Sequence, residues 1–234
     1  MSSRLLPVFD NFSKIPVVSI SDSQRRPVPQ AGWVRTVHHG LPENLLRPSG
    51  RKPEYLAFLG RIAPEKAVDR AIRIAQRVGL PLKIAAKVDK VDQAYFESEI
   101  EPLLSLPGIE FIGEIGDHQK ADFLSGAIAL MVTIDWPEPF GLVMIEAMAC
   151  GTPVIAYNRG SVPEVIEEGL TGFIVEDEIG AVGAIDRLSQ LDRGKVRQRF
   201  EQRFTARRMA EDYLRVYRSL ADKARPRLRI AAAE

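Results

Sequence analysis

From Tyr55 onward the chain alternates short apolar runs with longer stretches in which apolar positions recur every three or four residues. Tyr55–Leu59 (YLAFL) is apolar along its whole length and predicts a strand covered on both faces. Glu65–Val78 follows with Val68, Ile72, Ala75 and Val78 on one helical face. Gly79 can close that helix in the left-handed conformation, and Pro81 lies just beyond. Further strands are predicted at Leu82–Ala86, Ile109–Ile112, Ala127–Ile134, Pro153–Tyr157 and Gly172–Val175. Helices are predicted at Asp92–Leu106, broken or kinked near Pro102, and at Gln119–Ser125, Leu142–Ala149, Pro163–Glu167 and Glu178–Leu191. This alternation predicts an α/β fold: a doubly wound parallel sheet of about six strands.

The flanks differ from this pattern. The first 50 residues hold 6 prolines, two short strand-like runs (Val17–Ile20 and Trp33–Val37) and little helix-forming material. That is too little for a separate domain, and it reads as the last piece of one or as an extension docked on the sheet. At the other end, Thr205 can cap a long helix, with Phe204 and Met209 placed as a hydrophobic staple. Met209, Tyr213, Val216, Tyr217 and Leu220 form one apolar stripe along it. Residues 225–234 read as a loose tail.

Composition narrows the classes. With 45% hydrophobic residues in a chain of 234, disorder is excluded. The longest apolar run, Ala127–Ile134, falls well short of the ~20 residues that a membrane span needs. The N-terminus offers no apolar stretch resembling a secretion signal, and Cys150, the 1 cysteine, cannot pair within the chain. A cytoplasmic, enzyme-like domain is the expectation. The net charge of +1 conceals a partition: residues 1–96 sum to +8, residues 97–186 to −15 and residues 187–234 to +8. Residues 187–229 carry 14 Lys and Arg against 5 acids, but Tyr213 and Tyr217 sit on the apolar stripe and not among the arginines. A solvated basic helix face is expected there, and no nucleic acid.

Several kinds of chemistry lack their residues. There is no G-x-G-x-x-G after a strand, no P-loop, no G-x-S-x-G turn, no Cys/His cluster with metal spacing and no D-x-D pair. His38, His39 and His118 have no Ser or Cys partner at a suggestive spacing and read as structural or solvated; Glu176-Asp177-Glu178 reads as a solvated loop opening a helix. Two constellations remain. Gly60-Arg61 ends the first strand and Lys66 follows in the first turn of the next helix. Two cations at a strand's carboxyl end, near a positive helix terminus, suit a diphosphate, although taken alone they suit an ordinary solvated loop better. The second is Trp136-Pro137-Glu138-Pro139-Phe140-Gly141-Leu142, a rigid loop entering a helix that carries Glu146. The amides of Phe140, Gly141 and Leu142 are free donors there, and the two carboxylates can grip hydroxyl groups. Glu146 lies in an otherwise apolar helix, where an ionised group is costly without partners.

At these residues the chain resembles the retaining GT-B glycosyltransferases of family 4. Glu138 and Glu146 form that family's E-x7-E motif within EPFGLVMIEAMACGTPVIA (138–156). Gly60-Arg61 with Glu65-Lys66 matches its diphosphate element, and Gly160-Ser161-Val162-Pro163-Glu164 with Gly169-Leu170-Thr171-Gly172-Phe173 matches its next two turns. The resemblance covers about residues 15–221. It departs at Ala67, where many members have glycine, and at Ala86-Lys87, where many have a glycine turn.

The resemblance implies the C-terminal, Rossmann-like half of a GT-B fold. Residues 48–204 would be the nucleotide-sugar-binding domain, and 1–47 a remnant of the N-terminal acceptor domain with its connecting strand. Residues 205–224 would be a crossover helix and 225–234 a flexible tail. It implies transfer of a hexose, with UDP-glucose as the base-rate donor, to an unidentified acceptor with retention and without a metal cofactor. Arg61 and Lys66 would stabilise the leaving diphosphate, and Glu138 with the amides of Phe140, Gly141 and Leu142 would hold the sugar. Glu146 would take the ribose, and the base would lie at Gly113, Glu114 and Ile115. The expected partners are the donor and a missing N-terminal domain, which would leave this chain alone nearly inactive. Peripheral contact with the inner membrane face fits members that act on lipid-linked acceptors. A non-catalytic nucleotide-sugar-binding module, or another GT-B enzyme such as a sugar-nucleotide epimerase, is the alternative.

Overall fold

A computed structural model describes residues 6–224. In chain order its elements are α1 (Leu6–Asn11), β1 (Val17–Ser19), β2 (Trp33–Thr36), β3 (Tyr55–Ile62), α2 (Val68–Val78), β4 (Leu82–Val88), α3 (Gln93–Tyr95), β5 (Ile109–Gly113), α4 (Asp117–Ser125), β6 (Ala127–Val132), α5 (Leu142–Ala149), β7 (Val154–Tyr157), α6 (Val162–Val165), β8 (Gly172–Val175), α7 (Glu178–Asp186), α8 (Arg193–Arg203) and α9 (Ala206–Ala224). The main sheet is all parallel, in the order β5-β4-β3-β6-β7-β8. The strands are apolar throughout because both faces are covered: along β3, Leu56 and Phe58 enter one core and Ala57 the other. The first core lies under α2 and α7, and the second under α4, α5 and α8. The predicted doubly wound sheet is therefore present, with six strands at the expected places.

Helix boundaries depart from the reading in physically instructive ways. The helix expected from Glu65 begins only at Val68. Pro64–Lys66 form a tight turn instead, and Ala67 then adopts φ 48°, ψ 53°, which no continuous helix passes through. Glycine meets that conformation without strain, which gives a backbone reason for the glycine that the resemblance led one to expect here. The expected helix over 92–106 is α3 followed by a wide turn (Phe96–Ile100) and a tight one (Glu101–Ser105), the change falling next to Pro102. Helices α1 and α8 were not foreseen. On α9, Val216 is buried as expected of the stripe, but Tyr217 is 59% exposed. Thr205 does cap α9, its Oγ1 accepting from the Arg208 amide at 3.2 Å. The expected tail over 225–234 lies outside the described residues.

The N-terminal segment forms its own small parallel sheet, β1 beside β2. Glu164 on α6 ties it to the main body, accepting from the amides of Asp22 (2.7 Å) and Ser23 (2.8 Å), with His38 Nε2 at 3.3 Å. A second tie joins Leu41 to the start of α9: its amide donates to Phe204 O at 2.9 Å and its carbonyl accepts from the Ala206 amide at 2.8 Å.

Candidate active site at the strand crossover

The strand order reverses between β3 and β6, so the connections leaving these neighbours run to opposite faces and open a crevice at their carboxyl ends. Two adjoining lobes occupy it. One, of about 290 Å³, is lined by Lys66, Thr133, Glu138, Phe140 and His39 among others. The second, of about 240 Å³, is lined by Lys87, Glu114, Ile115, Lys120 and Glu146. Leu59, Gly60, Leu142 and Val143 border both. Either lobe alone falls below the roughly 300–1,000 Å³ of ligand pockets, whereas together they fall within it.

In the first lobe Lys66 and Glu138 meet. The tight turn before Ala67 aims Lys66 Nζ at Glu138 Oε2, 2.5 Å away, and holds it 5.4 Å from the centre of the Trp136 ring. The same oxygen accepts from Trp136 Nε1 at 3.0 Å. Backbone bonds fix the loop on both sides: the Asp135 amide donates to Glu65 O and the Ser161 amide to Glu138 O, each at 2.9 Å. Gly160 makes that closeness feasible, since a Cβ there would lie 2.3 Å from the Glu138 backbone. Gly141, at φ 77°, then turns the chain into α5. The first turn of α5 closes with the Met144 amide on Gly141 O (3.0 Å), so the amides of Phe140, Gly141 and Leu142 precede the helical ladder. Phe140 itself is buried and meets His39 edge-on, with ring centres 5.0 Å apart. Burial foremost, and the neighbouring His38, lower the His39 pKa.

In the second lobe Glu146, buried as expected, has found its partner. Lys120 on α4 donates to Glu146 Oε1 at 2.9 Å and also lies 3.1 Å from Asp117. Burial, the largest single influence, opposes the charge on Lys120, but the hydrogen bonds and charges of Glu146 and Asp117 together outweigh it and the Lys120 pKa is raised. Glu114 and Ile115 line this lobe, and Gly113 turns the chain towards it at φ 73°.

Arg61 departs from the expected picture. It lies at the end of β3 but lines neither lobe, and its guanidinium faces Glu65, Asp89 and Asp92. Lys87, Lys120, Trp136 and His39 carried no role in the sequence reading. Lys120 did leave a signal: it is the one basic residue between Lys90 and Arg159, a stretch otherwise rich in acids. Among the described residues, no group of three or more His, Cys, Asp or Glu is arranged to hold a metal ion, and no helix is long and apolar enough to cross a membrane.

The family model for "Glycosyl transferases group 1" matches residues 46–207, a span containing both constellations. The chain belongs to this family. Its fold is that of the GT-B, family-4 enzymes, of which it presents the C-terminal Rossmann-like half. D-inositol 3-phosphate glycosyltransferase of Mycobacterium tuberculosis is 29% identical over 223 residues, covering 81% of this chain and 44% of that protein. The chain thus spans somewhat less than half the length of this curated relative. Among solved structures, HepE of Anabaena in complex with UDP and glucose shares the fold at TM-score 0.82 and 19% identity, over 94% of this chain and 68% of its own. Sucrose-phosphate synthase of Thermosynechococcus elongatus does so at TM-score 0.81 and 24% identity, over 95% and 62%.

Proposed function

We propose that this chain is the donor-binding half of a retaining glycosyltransferase that moves a hexose from a nucleoside diphosphate to an acceptor hydroxyl. The observation that carries the reading is the meeting of Lys66 with Glu138 in one lobe, with Glu146 held by Lys120 in the next, at the strand crossover. In the reaction the bond from the anomeric carbon to the diphosphate breaks and one to the acceptor oxygen forms on the same face, the acceptor hydroxyl's proton passing to the leaving diphosphate. Negative charge grows on the leaving oxygens, and Lys66, released from Glu138, stabilises it, joined by Arg61 when its guanidinium exchanges Asp89 and Asp92 for the diphosphate. Glu138 and the amides of Phe140, Gly141 and Leu142 hold the sugar hydroxyls, Glu146 accepts from the ribose, and the base lies by Gly113, Glu114 and Ile115. UDP-glucose is the first donor to test, because HepE was also solved with it. On this reading residues 1–47 belong with an N-terminal acceptor half, which completes the enzyme, and residues 205–224 cross back over it.

The test is thermal denaturation with a panel of nucleotide-sugars. A ligand at a hundred times its dissociation constant adds roughly 2.7 kcal/mol. UDP-glucose is expected to raise the melting temperature and Lys66→Ala to remove the rise; a panel without any effect refutes the donor site. In a complete enzyme, Lys66→Ala or Arg61→Ala should cost on the order of 10²–10³ in rate. The turning of Arg61 towards Glu65, Asp89 and Asp92, outside both lobes, favours a second reading, a non-catalytic nucleotide-sugar-binding module. Sugar transfer assayed with and without an added N-terminal half separates the two.

A further inference from the structure

The position of Arg61 is the unexplained feature of the crevice. Its Nη2 donates to Glu65 Oε1 at 2.7 Å, while Nη1 lies 3.5 Å from Asp89 Oδ2 and 3.7 Å from Asp92 Oδ2. Glu65 belongs to the turn after β3, whereas Asp89 and Asp92 come from the loop that leaves β4. One guanidinium therefore faces three carboxylates at the mouth of a site read as anion-binding. Lys87, the β4 residue paired with Arg61 across the strands, is also engaged there, with Nζ 3.0 Å from Asp89 Oδ1. Asp92 Oδ2 is buried and has no hydrogen-bond partner, so the Arg61 charge is what compensates it. That arrangement attracts the guanidinium away from the lobes that Lys66 and Lys87 line.

We infer that Asp89 and Asp92 act on the donor site through Arg61: they retain its guanidinium outside the crevice and so weaken the hold on a nucleoside diphosphate. The inference rests on the donor-half reading. A diphosphate competes with these carboxylates for the same Nη1 donor and is itself repelled by their charge. Removing one carboxylate charge favours the diphosphate on both counts. With the Arg61 side chain 40% exposed and that of Asp89 31%, solvent screening keeps the effect modest. The inactive part of the molecule, the nucleoside, carries no charge and is indifferent to the exchange.

Calorimetric titration of UDP and of uridine into the whole chain tests this. Asp89→Asn is expected to bind UDP about threefold to tenfold more tightly at low salt and uridine as before, the gain shrinking as salt rises. Asp89→Glu should retain the original affinity, and Arg61→Ala should remove the larger part of the gain when added to Asp89→Asn. Asp92→Asn should act in the same direction, with its melting curve reporting whether this more buried change leaves the fold intact. Equal or weaker UDP binding by Asp89→Asn overturns the inference, as does a gain that Arg61→Ala leaves undiminished. Where the unaltered chain prefers UDP over uridine and Asp89→Asn changes nothing, only this inference falls. Where the unaltered chain shows no such preference, the donor-half reading falls with it.

Discussion

Gly160→Ala is the substitution by which the architecture of the Glu138 loop is most directly tested. Gly160 adopts φ 60°, where an L side chain costs about 1–2 kcal/mol. Its Cβ would stand 2.3 Å from both Glu138 N and Glu138 O and 2.6 Å from Pro137 C. All three are backbone atoms, so no rotamer relieves the overlap and the loop must retreat by roughly 1 Å. The bond from the Ser161 amide to Glu138 O, now 2.9 Å, lengthens with it, forfeiting roughly another 1 kcal/mol. The expected total is about 3 kcal/mol, a fall in melting temperature of about 6–12 °C for a chain of this size. Glu138 moves with the loop and draws Lys66 from its place, so UDP-glucose affinity should fall as well. Gly183→Ala is the control: a Cβ there meets nothing within 4 Å, and inside α7 alanine should stabilise by about 0.5–1 kcal/mol. Differential scanning fluorimetry reads stability and calorimetry reads the nucleotide-sugar. A Gly160→Ala chain that melts no lower than the original refutes the packing argument. One that melts lower yet binds UDP-glucose unchanged refutes the link from Gly160 to the site.

The buried pair and the site histidine give two further expectations. Glu146→Gln and Lys120→Met should each lower stability by about 1–3 kcal/mol in urea denaturation, because each removes one charge from a pair whose side chains are no more than 20% exposed; Lys120 keeps Asp117, so Glu146→Gln should cost the less of the two. The double variant should recover part of the loss, and simple additivity would show that the two are not coupled. His39 has a folded-state pKa below 6.5, so at moderately acidic pH the unfolded chain binds more protons than the folded one. Its contribution is therefore complete above pH 6.5 and lost as pH falls through the lowered value. His39→Asn should flatten that acid limb of the melting profile, and an unaltered limb would exclude it as the cause.

Local patterning carried most of the fold. Gly172–Val175 occupies the strand read from it, residue for residue, because an apolar run between a glycine turn and the acidic Glu176-Asp177-Glu178 has few other uses. Helix α8 escaped notice because it reads RGKVRQRFEQR and buries only Val196 and Phe200. Its signals were weak but present: those two lie four apart, and Asp192 caps the start through the amides of Gly194 and Lys195. The break at Ala67 could not be read from propensity, since alanine is the best of helix formers and only tertiary contacts hold it at positive φ. The site divided along the same line. Glu146 betrayed itself by standing in an apolar helix, but its partner Lys120 is 26 positions away in sequence, and nothing local indicated the pairing. Arg61 was correctly placed at a strand end. Its direction depends on Glu65, Asp89 and Asp92, and local pattern, which made Asp92 the start of a helix, gave no sign that the last two face Arg61.

The charge partition gains its meaning from the same long-range pairing. The acidic middle of the chain is met by the basic flanks: Arg51 reaches Asp122, Arg70 reaches Asp135, Arg73 reaches Glu178, and Arg199 with Arg203 grips Glu167. On α9, Arg207 and Arg215 turn to Glu211 and Asp212, while Arg208 also donates to the carbonyls of His38 and His39. Much of the basic excess is thus answered within the molecule, and an outside polyanion is not needed to account for it. Most of these pairs are exposed and worth about 0–1 kcal/mol each, so they set register more than stability. Lys66–Glu138 and Lys120–Glu146 differ because both members of each are largely withdrawn from water, with no side chain above 25% exposed. Seclusion strengthens such a pair and also makes it costly to leave unmatched, so a ligand entering the crevice must supply hydroxyls or phosphate oxygens in return. A nucleotide-sugar offers both, the phosphates for Lys66 and the hydroxyls for the carboxylates it leaves. That complementarity, more than the size of the crevice, is what favours a nucleotide-sugar over a plain anion.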